Sequence, residues 1–138
     1  MTIRILLVDD HSMIREGLRM FLVRDLDLEI VGEAADGNEA IEKTDLLEPD
    51  VILMDLTLPV VDGLTAISII HSKLPQIKIL VLTGALESAS ITSAMRAGAV
   101  GYLLKGIQAA ELRNAIKAAV AGQIQLPDLV PAYVLDAV

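Results

Sequence analysis

The stretch Val51-Ile52-Leu53-Met54-Asp55-Leu56-Thr57-Leu58-Pro59-Val60-Val61-Asp62-Gly63 decides the fold. Its first four residues are apolar without interruption, the pattern of a short strand buried on both faces, and the run stops abruptly at an acid. The loop from Leu56 to Gly63 leads into a helix through Ile67, Ile70 and Leu74, which Pro75 closes. A strand that must be buried on both sides needs helices above and below it, so a parallel sheet is implied.

Reading outward from this unit, the same alternation recurs on both sides. Upstream, Ile3 to Val8 is a β-branched and aliphatic strand ending at Asp9-Asp10. Ser12 is expected to cap a helix with Ile14, Leu18, Phe21 and Leu22 as its apolar stripe, ending near Arg24. Leu28 to Ala34 reads as the next strand. Asp36-Gly37-Asn38 is a turn, and Ala40, Ile41 and Leu47 mark a helix running towards Glu48-Pro49. Downstream, Ile77 to Leu82 is a strand ending at Thr83-Gly84. Glu87 to Ala97 is an Ala/Ser-rich helix that stops at Gly98, a residue suited to a left-handed C-terminal position. Val100 to Leu104 is the fifth strand and ends at Lys105. Gln108 to Ala121 is the last core helix, with Leu112, Ile116 and Val120 on one face. Five strands separated by five helices make a doubly wound α/β domain, in which ligands bind beyond the carboxyl ends of the strands.

Composition agrees with one ordinary domain: 138 residues, 54% apolar, 22% charged and no cysteine. Disulfides and thiolate metal sites are excluded. With 11 Lys+Arg against 19 Asp+Glu, the net charge of −8 has the wrong sign for nucleic-acid binding by this chain. The start lacks the plan of a signal peptide and no apolar segment approaches a membrane span, so no membrane association and a cytoplasmic location are expected. Residues 1–121 read as the domain. Residues 122–138, with Pro127 and Pro131 and apolar Leu126, Leu129, Val130, Tyr133 and Val134, read as a linker with a short amphipathic helix.

In a doubly wound sheet the first, third, fourth and fifth strands lie side by side, so Asp9, Asp10, Asp55, Thr83 and Lys105 converge on one rim. At about 5 Å and an effective dielectric of about 20, each carboxylate pair repels by roughly 3 kcal/mol. Either an acid takes a proton or a cation sits among them. A few carboxylates with room for water suit Mg²⁺, and with Lys105 the charges of the three acids are neutralised. Such a site is poised for one more anionic group: an acyl phosphate on Asp55 would find a metal, an ammonium and the Thr83 hydroxyl around it.

Asp9-Asp10 after the first strand, Asp55 followed by Leu58-Pro59 and Asp62-Gly63, Thr83 after the fourth strand, Tyr102 within the fifth and Lys105 at its end resemble the receiver domain of two-component response regulators. The segment from Ala97 to Lys105, with the following linker, is most similar to the NarL/FixJ subfamily, whose members usually carry a C-terminal helix-turn-helix. The resemblance spans residues 3 to about 121 and implies the flavodoxin-like strand order 2-1-3-4-5. It implies Asp55 as phosphoacceptor, with Mg²⁺ held by Asp10, by Asp9 mainly through water, by Asp55 and by the Thr57 carbonyl. Lys105 and Thr83 would bind the phosphoryl group, and Thr83 with Tyr102 would form the conformational switch. The implied donor is a histidine kinase or phosphotransfer protein, the implied role regulatory and not that of an enzyme. The implied output is transcription, through a DNA-binding domain outside these residues. Homodimers on phosphorylation are allowed by the tail and the Ala-rich helices. His11 beside the acids could suggest a metal ligand, but a lone histidine at a helix start is more often a polar cap and it is taken as one; His71 is taken as lying on a solvated helix face.

Departures from the family pattern bear on rates. Gly106 follows Lys105 where many receivers have proline. Thr57 and Ala85, which flank the phosphoryl position, cannot orient a hydrolytic water, so no unusually fast dephosphorylation is expected. Rival readings fit less well. A flavodoxin-like cofactor binder would want a phosphate loop without acids and more than three aromatic residues in all. An aspartyl phosphohydrolase needs a second acid where Thr57 stands. A stand-alone receiver working through protein contacts, or a phosphate-independent receiver-like module, remains as the alternative, the latter opposed by the presence of all five site residues.

Overall fold

The computed structural model describes residues 2–84 and 87–124. Ala85 and the tail positions Leu126, Leu129, Val130, Tyr133 and Val134 lie outside the described residues. Strands β1 (Ile3–Val8), β2 (Leu28–Ala34), β3 (Val51–Met54), β4 (Lys78–Thr83) and β5 (Gly101–Leu104) alternate with helices α1 (Ser12–Leu22), α2 (Gly37–Leu47), α3 (Gly63–Lys73), α4 (Ser88–Ala97) and α5 (Ala109–Val120). The sheet is parallel in the order β2-β1-β3-β4-β5, as expected.

Two apolar clusters, one on each face, account for the unbroken apolar strands. Leu6, Val8, Ile52, Met54, Ile79 and Val81 point to one side and meet Ala40 of α2, Ile67 and Ile70 of α3, and Ile91 of α4. Their alternate neighbours Ile5, Leu7, Val51, Leu53, Leu80 and Leu82 meet Leu22 of α1 and Leu112 and Ile116 of α5. Full burial of such a side chain is worth roughly 1.5–3 kcal/mol, so β3, sealed on both sides, is a stiff mount for the residue at its end. That residue is Asp55, whose backbone N–H extends the ladder to the Val8 carbonyl at 2.9 Å.

Several local expectations are corrected. Ser12 is the first residue of α1; His11 holds the N-cap position, without a side-chain capping bond. Phe21 is 47% exposed, because Arg15 and Arg19 on the other flank of α1 turn towards Glu33 of β2 and rotate the helix away from it. Val120, 36% exposed, ends α5 at the rim of a cleft formed with Glu48, Pro49, Asp50, Gln76, Ile77 and Lys78. His71 is half-buried and packs on Gly98. A Cβ at Gly98 would lie 2.3 Å from the His71 ring, and its φ of 127° is also one that only glycine adopts readily.

Candidate functional site

The β1–α1 loop, the β3–α3 loop and the ends of β4 and β5 enclose one acidic crevice, at the point where the strand order reverses between β1 and β3. Asp9, Asp10, His11 and Asp55 each bring one ligand atom to within 4.8 Å of the others. Asp9 and Asp55 are buried at 3% and 5% exposure, whereas Asp10 opens to solvent. Lys105 closes the crevice from the β5 side. Its ammonium lies 2.9 Å from Asp9 Oδ2 and 3.1 Å from Asp55 Oδ2. The other Asp55 oxygen, Oδ1, accepts the Thr57 backbone N–H at 3.1 Å.

Burial alone would raise the pKa of Asp9, but hydrogen bonds from Lys105 and His11 outweigh it and hold the carboxyl below its ordinary value. Burial likewise works to discharge Lys105, and its bonds to Asp9 and Asp55 prevail, so its pKa is raised. Both groups are thus charged at neutral pH. Three carboxylates against one ammonium leave two negative charges, which one divalent cation would neutralise. Of the four ligand atoms three are carboxylate oxygens and one belongs to the exposed His11 ring; the three oxygens, half open to water, fit Mg²⁺.

Local sequence explains the placement. The Asp62 carboxylate accepts the Thr65 N–H at 2.8 Å and caps α3. The next residue must be glycine, since a Cβ at Gly63 would stand 2.5 Å from the Leu56 Cα and 2.6 Å from the Asp55 carbonyl oxygen. The start of α3 is therefore pressed against the backbone that carries Asp55. On the far side, the Lys105 N–H donates to the Thr83 carbonyl at 2.7 Å and ties β5 to β4. Thr83 is half-buried at the strand end. Tyr102 is turned into the core at 1% exposure. Its burial raises the phenol pKa, an effect that the neighbouring Thr83 side chain partly offsets.

The structure thus brings Asp9, Asp10 and Asp55 into direct reach of one another and Lys105 into reach of Asp9 and Asp55, with Thr57 joined through its backbone, and sets Thr83 beside Tyr102. Of two further contributors, one is discounted in the sequence reading and the other escapes it. His11 does not cap α1; its Nδ1 lies 3.0 Å from Asp9 Oδ1 and 3.1 Å from Asp10 Oδ1. Adjacency to the acid pair is the available signal. Arg15 stands out by no motif, yet its guanidinium reaches the Asp9 backbone.

Comparison with known proteins agrees with this architecture. The family model for the response regulator receiver domain matches residues 5–117. The transcriptional regulatory protein LiaR of Bacillus subtilis is 44% identical over 134 residues, covering 97% of this chain and 64% of LiaR. The response regulator protein VraR of Staphylococcus aureus is 44% identical over 117 residues, 85% of this chain and 56% of VraR. This chain therefore spans about 64% and 56% of the lengths of these two relatives. Among solved structures, a two-component response regulator of the LuxR family from Aurantimonas sp. SI85-9A1 superposes with a TM-score of 0.90 at 38% identity, covering 99% of this chain and 97% of that one. Sequence, sheet order and acidic crevice lead to one assignment: this chain belongs to the response regulator receiver domain family.

Proposed function

We propose that the domain is a phosphorylation-dependent switch in which Asp55 accepts a phosphoryl group from the phosphohistidine of a histidine kinase or phosphotransfer protein. The observation that carries this reading is the Lys105 ammonium held between the buried carboxylates of Asp9 and Asp55. In the transfer, an Asp55 carboxylate oxygen forms a bond to phosphorus while the phosphorus–nitrogen bond of the donor breaks. The electron pair leaves with the imidazole, which takes up a proton. Asp10, Asp9 through water, Asp55 and the Thr57 carbonyl would hold Mg²⁺, which supplies positive charge to the phosphoryl oxygens.

Lys105 supplies the remaining positive charge and already points at the acceptor, so little reorganisation is needed. The Thr83 hydroxyl donates to the new oxygens, and its displacement changes what the Tyr102 phenol can bond. A phosphoryl group that interacts better with one arrangement of this pair shifts the population towards it. The domain is accordingly a regulatory phosphoacceptor that assists its own transfer. It works in the cytoplasm and controls an output, transcription through a DNA-binding domain. Activation through homodimers is part of the same reading.

Beryllofluoride, a phosphoryl mimic, tests the site without a kinase. With Mg²⁺ it should shift the amide resonances of Asp55, Thr83, Tyr102 and Lys105, and it should have no effect on Asp55→Asn. Unchanged resonances in the native chain at saturating Mg²⁺ would refute the proposal, and size measurement of the same samples reads the oligomeric state.

A further inference from the structure

Asp10, the carboxylate most open to solvent in the acidic crevice, is also the least supported. Its one ion-pair neighbour among the described residues is His11, whose ring is itself exposed. Asp9 by contrast is fixed by Lys105 and by the His11 backbone N–H, at 2.9 Å from its Oδ1. The direction of the Asp10 side chain therefore depends on the plane of the Asp9–Asp10 peptide. One side chain grips that plane. The Arg15 guanidinium donates through Nη1 to the Asp9 carbonyl oxygen and through Nε to Glu33 Oε1 at 2.9 Å. Arg15 is only 17% exposed.

Glu33 is anchored in turn. It stands on β2, paired to β1 at Leu7, and its other oxygen Oε2 receives Arg19 Nε at 3.1 Å. The Lys43 ammonium donates to the Glu33 backbone carbonyl. Hydrogen bonds from Arg19, and then Arg15, hold the Glu33 carboxyl below its ordinary pKa against the cost of burial. A planar fork between a fixed carboxylate and a backbone carbonyl is a geometry that arginine makes and lysine cannot.

We propose that Arg15 is a positioning residue for the metal-binding acids: bridging Glu33 to the Asp9 carbonyl, it sets the peptide plane that aims Asp10 into the crevice. This inference rests on the proposed Mg²⁺ site and names the outer contact that shapes it. Loss of such contacts characteristically weakens metal affinity by about 10–100-fold. Arg19 provides an internal control, because it pairs with the same Glu33 carboxylate and no bond from it reaches Asp9 among those the structure shows.

The test is a Mg²⁺ titration of the full chain, followed by the amide resonances of Asp10 and His11, with melting temperatures recorded alongside. Arg15→Met should raise the Mg²⁺ dissociation constant about tenfold. Arg19→Met should leave it within about twofold, since its ion pair is half exposed. Arg15→Lys, which keeps a cation near the carbonyl but no fork, should fall between Arg15→Met and the native chain. It also decides the matter if Arg15→Met does not fold. Equal effects at Arg15 and Arg19, or native affinity in the Arg15 variants, would overturn the inference. Absence of Mg²⁺ binding by the native chain would instead overturn the metal site on which it rests.

Discussion

Asp9 and Lys105 form a clasp whose two ends titrate far apart. The Asp9 carboxyl is held below its ordinary value of 3.8, so its stabilising contribution is complete above that pH and is lost as pH falls through the lowered value. Lys105 is held above 10.5, so its contribution is complete below that pH and fades as pH rises through the raised value. The difference in unfolding free energy between the native chain and Lys105→Met should therefore be flat from about pH 5 to about pH 9. A slope within that window would show that the clasp is not made. Asp10 behaves differently, because it adds repulsion with no lysine of its own. Without divalent ions, Asp10→Asn should be more stable than the native chain by on the order of 1 kcal/mol. That corresponds to a rise of about 2–5 °C in melting temperature. The native chain should gain about 1.4 kcal/mol from Mg²⁺ at ten times its dissociation constant, and Asp10→Asn should gain little. Thermal melts with and without Mg²⁺ check both statements.

The β3–α3 loop concentrates the backbone constraints. Val60 has a φ of 68° and is 82% exposed, a left-handed conformation that a β-branched residue adopts only under compulsion. Relieving it with Val60→Gly should stabilise the domain by about 1 kcal/mol, the left-handed penalty exceeding the added chain entropy. Gly63→Ala should do the opposite, costing about 1–3 kcal/mol as α3 is forced off the Asp55 backbone. Chemical denaturation of the two variants measures both, and a Gly63→Ala variant of native stability would contradict the close approach. Much of this organisation is legible in the chain. Unbroken apolar strands announce a sheet covered on both faces, and their abrupt ends at Asp9, Asp55, Thr83 and Lys105 announce the rim. The features that escape the sequence depend on helix rotation and on close packing. Phe21 belongs to the stripe of α1 by spacing, but the pairing of Arg15 and Arg19 with Glu33 turns it outward. His71 is polar and reads as solvated, but the missing side chain of Gly98 opens a place for its ring. The reach of Arg15 to a backbone oxygen leaves no trace in spacing at all.

Taken whole, the molecule is a stiff sheet with its reactive charges gathered at one end and its helices divided between two faces. α2, α3 and α4 share the cluster that contains Tyr102, while α1 and α5 share the other. In the proposed switch, a group arriving at Asp55 would meet Lys105 directly and, through Thr83, the face that holds Tyr102 and α4. The net charge of −8 takes on structure in this setting: three of the acids crowd the crevice, where a dication and a phosphoryl group can use them. The central claim is that Asp55 is the phosphoacceptor, and intact mass of the chain after incubation with acetyl phosphate tests it most directly. With Mg²⁺ the native chain should gain the mass of one phosphoryl group, and it should gain none with chelator or in Asp55→Asn. No added mass on the native chain, or equal addition to Asp55→Asn, would contradict the account.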